Sequence, residues 1–145
     1  MASDGHEYGG LASLGSVAGI PRVLVIDDHT LNRSDLTRAL QLAGFDVTGV
    51  GSADARAAVG EGFDVAIVDL MLHGTNGFEL ARMLRREVPF VRVVLTSDYH
   101  FSAMQLERMN CGAVGFVPRP CALDELADFL RSKISLPPPA LESGA

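Results

Sequence analysis

The sequence predicts an α/β domain built on a doubly wound, five-stranded parallel sheet in the order 2-1-3-4-5, with helices on both faces. Short apolar runs rich in Val and Ile recur at 23–26, 65–68 and 93–95, and each reads as a strand covered on both faces. Segments of helical period fall between the strands, so strand and helix alternate. The first run ends in two adjacent acids, Asp27 and Asp28, and the run at 65–68 ends in another, Asp69. Ionised side chains have no place in an apolar core without a cation, a donor or water. In an open parallel sheet they belong in the crevice at the carboxyl ends of the strands.

Each element has its own signal. Residues 1–20 are rich in Gly, Ser and Ala without a sustained period and are expected to be a flexible leader. The domain is expected to occupy 21–133, opening with a strand over 22–27. After Thr30, the residues Leu36, Ala39, Leu40 and Ala43 fall at helical spacing, and Gly44 stops that helix. Residues 47–50 form a short strand. Ser52 is expected to cap an Ala-rich helix that fades at Gly60 and Gly62. The third strand is 65–68, followed by a loop over 73–77. Asn76 with Glu79 has the form of a capping box, opening a helix that Pro89 ends. The fourth strand, 92–95, closes on Thr96 and Ser97. A helix from Phe101 ends near Asn110, before Gly112. Residues 115–117 form the fifth strand, Pro118-Arg119-Pro120 a rigid turn, and 123–133 the last helix. Leu136 and the prolines after it cannot continue a helix, so 134–145 are expected to be a Pro-rich flexible tail.

Composition narrows the function. A chain of 145 residues with 48% hydrophobic side chains can bury a real core. Residues 22–133 hold all 12 basic residues and 15 of the 18 acidic ones, so the domain is mildly acidic. That leaves no footprint for nucleic acid and no polybasic patch for a membrane surface. No apolar run approaches the roughly 20 residues of a membrane span, and the N-terminus lacks the pattern of a secretory signal. A cytoplasmic location is expected. Cys111 and Cys121 fit no metal-ligand spacing and read as small buried residues in a reducing compartment.

The strand order makes the first and third strands neighbours, so Asp27, Asp28 and Asp69 converge at the switch point. Thr96 arrives from the fourth strand and Arg119 from the fifth. Three like charges in one crevice repel strongly, and a hard divalent cation relieves this. Mg²⁺ takes one or two carboxylates, a carbonyl and waters, and can bind an incoming phosphoryl group. A carboxylate can serve as nucleophile and become an aspartyl phosphate, with a hydroxyl and a cation holding the phosphoryl oxygens. Asp69, at the end of the central strand, is the candidate acceptor.

These residues resemble the response-regulator receiver domains of two-component signalling, whose sheet is flavodoxin-like. The resemblance covers residues 21–133 and rests on four pieces in order. They are Val-Leu-Val-Ile before Asp27 and Asp28; Val-Ala-Ile-Val before Asp69, with Gly77 after it; Val-Val-Leu before Thr96; and Gly112 through Phe116 to Arg119 and Pro120. The resemblance implies Mg²⁺ held by Asp27 or Asp28 with Asp69 and the backbone carbonyl of Met71. It implies phosphorylation of Asp69 by a sensor histidine kinase or a phosphotransfer protein, with no enzymatic activity beyond self-catalysed phosphoryl acceptance and loss. Thr96 would turn toward the phosphoryl group, and Phe116 would be the coupled aromatic switch. A downstream protein target would read the change, the domain acting as a monomer or weak homodimer. A cis bond between Arg119 and Pro120 is implied as well.

The chain departs from the family pattern in places. Arg119 stands where the family usually has Lys, and His73 stands four residues after the acceptor where it usually has Pro. Asp98 adds a charge near the site mouth. Ala122 opens the last helix without a capping side chain, a loss of about 1 kcal/mol. His73 is read as a solvated loop residue, His29 as the opening of the first helix, and Met104 and Met109 as packing in or beside the fourth helix. Three functions compete: a phosphoacceptor switch without an attached output domain, a phosphorylation-independent pseudo-receiver docking module, and a phosphatase with an Asp nucleophile. The intact acids and Thr96 favour the first and Arg119 the second. The third is disfavoured because that enzyme class needs Asp-x-Asp, and here the acids are adjacent.

Overall fold

Strands and helices alternate through the chain as β1 (Arg22–Ile26), α1 (Thr30–Leu42), β2 (Asp46–Val50), α2 (Ala55–Val59), β3 (Val65–Asp69), α3 (Gly77–Glu87), β4 (Arg92–Ser97), α4 (Ala103–Met109), β5 (Gly115–Pro118) and α5 (Leu123–Ile134). The computed structural model describes residues 19–135. The expectations for the leader before Gly19 and the tail after Ser135 lie outside the described residues. All strand pairs are parallel, in the order β2-β1-β3-β4-β5. This is the predicted topology, and it follows from the apolar runs. Residues 23–26 of β1 are entirely buried because both of its faces are covered.

The pleat divides β1 between two cores. Leu24 and Ile26 join Ala66, Val68, Leu95 and Leu84 on the side of α2 and α3. Val23 and Val25 join Ile67, Val94, Leu40 and Leu130 on the side of α1 and α5. Burying a Leu or Ile side chain contributes roughly 1.5–3 kcal/mol, so the two cores together offset much of the ordering entropy. On one side α3 crosses the end of β3 at close range. A Cβ at Gly77 would stand 2.7 Å from the Asp69 carbonyl oxygen and 2.8 Å from Leu70 Cα, so only glycine fits there.

Several local expectations are corrected. Ser52 does not cap a helix: it opens a single 3₁₀ turn, Ser52–Asp54, and its side chain is used elsewhere. The fourth helix begins at Ala103 and not Phe101, because Ser102 and Gln105 form a reciprocal capping box. The box at α3 is only half made. Asn76 Oδ1 accepts from the Glu79 amide at 3.0 Å, while the Glu79 carboxylate pairs with Arg82 at 2.8 Å. Cys111 is buried as expected, but Cys121, past the turn of β5, is exposed. Met104 is 62% exposed and points away from the core. Ala122 makes no side-chain cap, as expected.

Candidate functional site

Strand register builds the site. Asp69 and Thr96 are paired residues at the ends of β3 and β4, and Ser97 pairs with Pro118 at the end of β5. The Leu70 amide donates to the Thr96 carbonyl at 3.0 Å, and the Arg119 amide donates to the Ser97 carbonyl at 2.8 Å. The last bond carries Arg119 over the strand ends, and the peptide bond to Pro120 is cis, as implied. Asp27 arrives from β1, its amide donating to the Val50 carbonyl at 3.0 Å. Asp27, Asp69 and Thr96 are 3%, 4% and 5% exposed, so the floor of the crevice is buried.

Arg119 is the cation of this floor. Its Nη2 donates to Asp69 Oδ1 at 3.4 Å, its Nη1 lies 4.0 Å from Asp27 Oδ2, and its Nε donates to Asp98 Oδ1 at 3.1 Å. One guanidinium thus spans three acids, two buried and one at the mouth. The planar, multi-donor shape of arginine makes this possible. Burial pushes the Asp27 carboxyl above its ordinary value, the His29 amide pulls it down, and the neighbouring Asp69 charge raises it again. Burial also works against the Arg119 charge, but the hydrogen bond to Asp98 and the Asp69 carboxylate outweigh it and push its pKa up. Arg119 in turn holds Asp98 below its ordinary value.

Asp28 behaves differently. Its Oδ1 accepts from the Ser52 amide at 2.7 Å, and its Oδ2 accepts from the Ser52 hydroxyl and the His73 amide, each at 2.7 Å. Burial raises its carboxyl, but these three donors, the His73 amide first, bring it below the ordinary value. Among the described residues no group of three or more His, Cys, Asp or Glu side chains is arranged to hold a metal. Asp27, Asp69 and the Met71 carbonyl are nevertheless the donor types magnesium takes. Met71 sits just past the end of β3, its amide donating to Asp69 Oδ1 at 3.3 Å. His73 is exposed and His29 caps α1 through Nδ1, accepting from the Asn32 amide at 3.3 Å.

Phe116 is half-buried on β5. It meets Phe101 edge to face, with centroids 5.6 Å apart, and Phe101 meets Phe78 of α3 the same way at 5.9 Å. Each such contact contributes about 0.5–1.5 kcal/mol beyond burial.

Residues 23–131 match the family described as Response regulator receiver domain. The chain is a response-regulator receiver domain of two-component signalling. This receiver domain is 34% identical over 138 residues to the transcriptional regulatory protein TcrA of Mycobacterium tuberculosis, covering 90% of this chain and 53% of TcrA. It therefore spans about half the length of that relative. A receiver domain protein of Methanospirillum hungatei superimposes with a TM-score of 0.71 at 20% identity, over 80% of this chain and 94% of that one. The response regulator TrrA of Thermotoga maritima, solved in complex with Mg²⁺-BeF, gives 0.69 at 24% identity, over 79% and 99%. No helix among the described residues is long and apolar enough to cross a membrane.

Three parts of the receiver domain's site are not among those expected from the sequence, and only the third leaves a signal there. Ser52 reads as a helix cap, a role that uses the same hydroxyl that here binds Asp28. Arg33 donates from Nη1 to the Asp27 carbonyl at 2.9 Å, and nothing in its helical spacing signals that. Phe101 links α3 to Phe116. Ser102 with Gln105 carries the signal for it, since a capping box there leaves Phe101 in the loop.

Proposed function

We propose that this receiver domain is a phosphoacceptor switch, with Asp69 accepting a phosphoryl group from a sensor histidine kinase or a phosphotransfer protein. The observation that carries the reading is the buried cluster of Asp27, Asp69 and Thr96 under Arg119 at the carboxyl ends of four parallel strands. An Asp69 carboxylate oxygen attacks phosphorus, the bond from phosphorus to the donor nitrogen breaks, and the imidazole leaves with its electron pair and takes a proton. The product is an aspartyl phosphate, which water later hydrolyses. Asp27, Asp69 and the Met71 carbonyl would hold Mg²⁺, whose charge offsets that of the phosphoryl oxygens. Thr96, in register with Asp69, supplies a hydroxyl to a phosphoryl oxygen, and Arg119 supplies the opposing charge.

Residues 21–133 form the acting unit, in the cytoplasm, as a monomer or weak homodimer. Output passes by contact with a protein target, with Phe116 as the moving aromatic. Beyond accepting and losing the group, no enzymatic step is assigned. The resting ion pair between Arg119 and Asp69, at 3.4 Å, favours the second reading, a pseudo-receiver docking module whose charges balance without phosphate. Incubation of the protein with acetyl phosphate and Mg²⁺, read by intact mass, separates the two. We expect one added phosphoryl group in wild type and none in Asp69→Asn. An unmodified wild type beside a modified control receiver domain gives the docking module.

A further inference from the structure

Asp28 lies at the end of β1, Ser52 just after β2, and His73 in the loop after β3. The three hydrogen bonds to the Asp28 carboxylate, each 2.7 Å, tie these segments together. The recess is shaped for the carboxylate: a Cβ at Gly51 would stand 2.8 Å from Asp28 Oδ1. The Ser52 hydroxyl oxygen also lies 3.4 Å from the His73 carbonyl oxygen, so the two donors sit side by side, with the single hydroxyl proton on the shorter bond to Asp28. Bonds to an ionised acceptor are roughly twice as strong as neutral ones. A carboxylate offers about four lone-pair sites, and three here are occupied. The His73 donor exists only because residue 73 is not proline, which has no amide hydrogen.

We propose that the Asp28 carboxylate is held in an intramolecular latch by Ser52 and His73, and that the latch competes with Mg²⁺ for it. The proposal rests on the magnesium site described above. While the latch is shut the metal has two carboxylates, Asp27 and Asp69. Recruiting Asp28 places a cation against a carboxylate with one site left, on Oδ1, so its donors must weaken or turn aside and the loops after β2 and β3 loosen. Metal affinity is thereby set by residues that never touch the metal, and the loop carrying His73 changes its attachment when the site loads.

The test is a Mg²⁺ titration followed by backbone amide NMR on the full chain, in wild type, Ser52→Ala, His73→Pro and the double variant. Each single variant is expected to bind Mg²⁺ about three- to tenfold tighter, the range for one charge-assisted hydrogen bond partly open to water. In wild type the Ser52 and His73 amides should be protected from exchange in EDTA and lose that protection at saturating Mg²⁺. Equal or weaker binding by Ser52→Ala overturns the latch and leaves the magnesium reading standing. No saturable binding in any of the four proteins overturns both. If the variants do not fold, the wild-type amides decide alone, and protection that survives saturation overturns the latch.

Discussion

Asp27 and Asp28 are neighbours in the chain with opposite effects on stability. Burial and the Asp69 charge raise the folded-state carboxyl of Asp27 above the ordinary 3.8. Its contribution to stability is present below that value and is lost as pH rises through the folded-state pKa. Asp28 runs the other way, because its donors lower the folded-state carboxyl despite its burial. Its contribution is present above the unfolded value of 3.8 and is lost as pH falls through the folded one. Two substitutions should therefore move stability in opposite directions in EDTA at pH 7. Asp27→Asn keeps an oxygen for the His29 amide and removes a crowded charge, a gain of about 1 kcal/mol. Asp28→Asn places an amide group among three donors, a loss of about 1–2 kcal/mol. Urea denaturation at pH 7 and pH 3 checks both, since each difference should shrink in acid. Equal signs at pH 7 would show that the two carboxyls share one environment.

The helices differ in how well their ends are closed. α4 has only the residues Ala103–Met109, and it holds because the box between Ser102 and Gln105 satisfies donors at its start. α5 is longer and carries Leu126, Ala127 and Leu130 into the core, yet Ala122 leaves its start uncapped. The backbone at Ala122 is already extended, with φ −63° and ψ 141°, so a serine can cap without rearrangement. Ala122→Ser should add about 1 kcal/mol, seen as a higher urea midpoint with an unchanged slope. Asp124 Oδ1 already accepts from the Glu125 amide at 2.9 Å, so no gain would mean that this bond alone serves the start of the helix. Strands and helices are legible in the sequence because continuous Val and Ile runs and helical spacing are local patterns. The strand ends are legible for the same reason, and the strand order then brings Asp27, Asp69, Thr96 and Arg119 to one crevice from the sequence alone. Ser52 is not, because one hydroxyl suits a helix start and a carboxylate partner equally, and the partner lies on a different strand. Asp28 fails likewise: nothing local distinguishes an acid facing a cation from one turned to two loops.

At the scale of the molecule, Arg119 follows directly on β5, and from the same strand Phe116 meets Phe101, which meets Phe78 of α3. A guanidinium shared among Asp27, Asp69 and Asp98 is committed before any phosphoryl group arrives. A ligand shifts an equilibrium only by its differential affinity for the two states, and a cation already engaged contributes less of that difference. Beryllofluoride with Mg²⁺ should accordingly cause smaller amide shifts over residues 97–118 in wild type than in Arg119→Lys, whose compact ammonium is free to follow the phosphoryl oxygen. A wild-type response as large as that of the variant would show arginine to be a full substitute. The register of β3 has another consequence, for how the chain folds. Val68 lies beside Ile26 and Leu95, and Asp69 follows one residue later, just past the apolar layer. A slip of one residue during assembly would press that carboxylate against Ile26 and turn Ala66 and Val68 to the wrong side of the sheet. An unpaired charge buried there is far costlier than a misplaced methyl group. The acids at the strand ends should thus disfavour mispaired intermediates, and Asp69→Ala should show additional refolding phases by stopped-flow circular dichroism even where its final stability is higher; a single phase matching wild type would show that the acid plays no part in register.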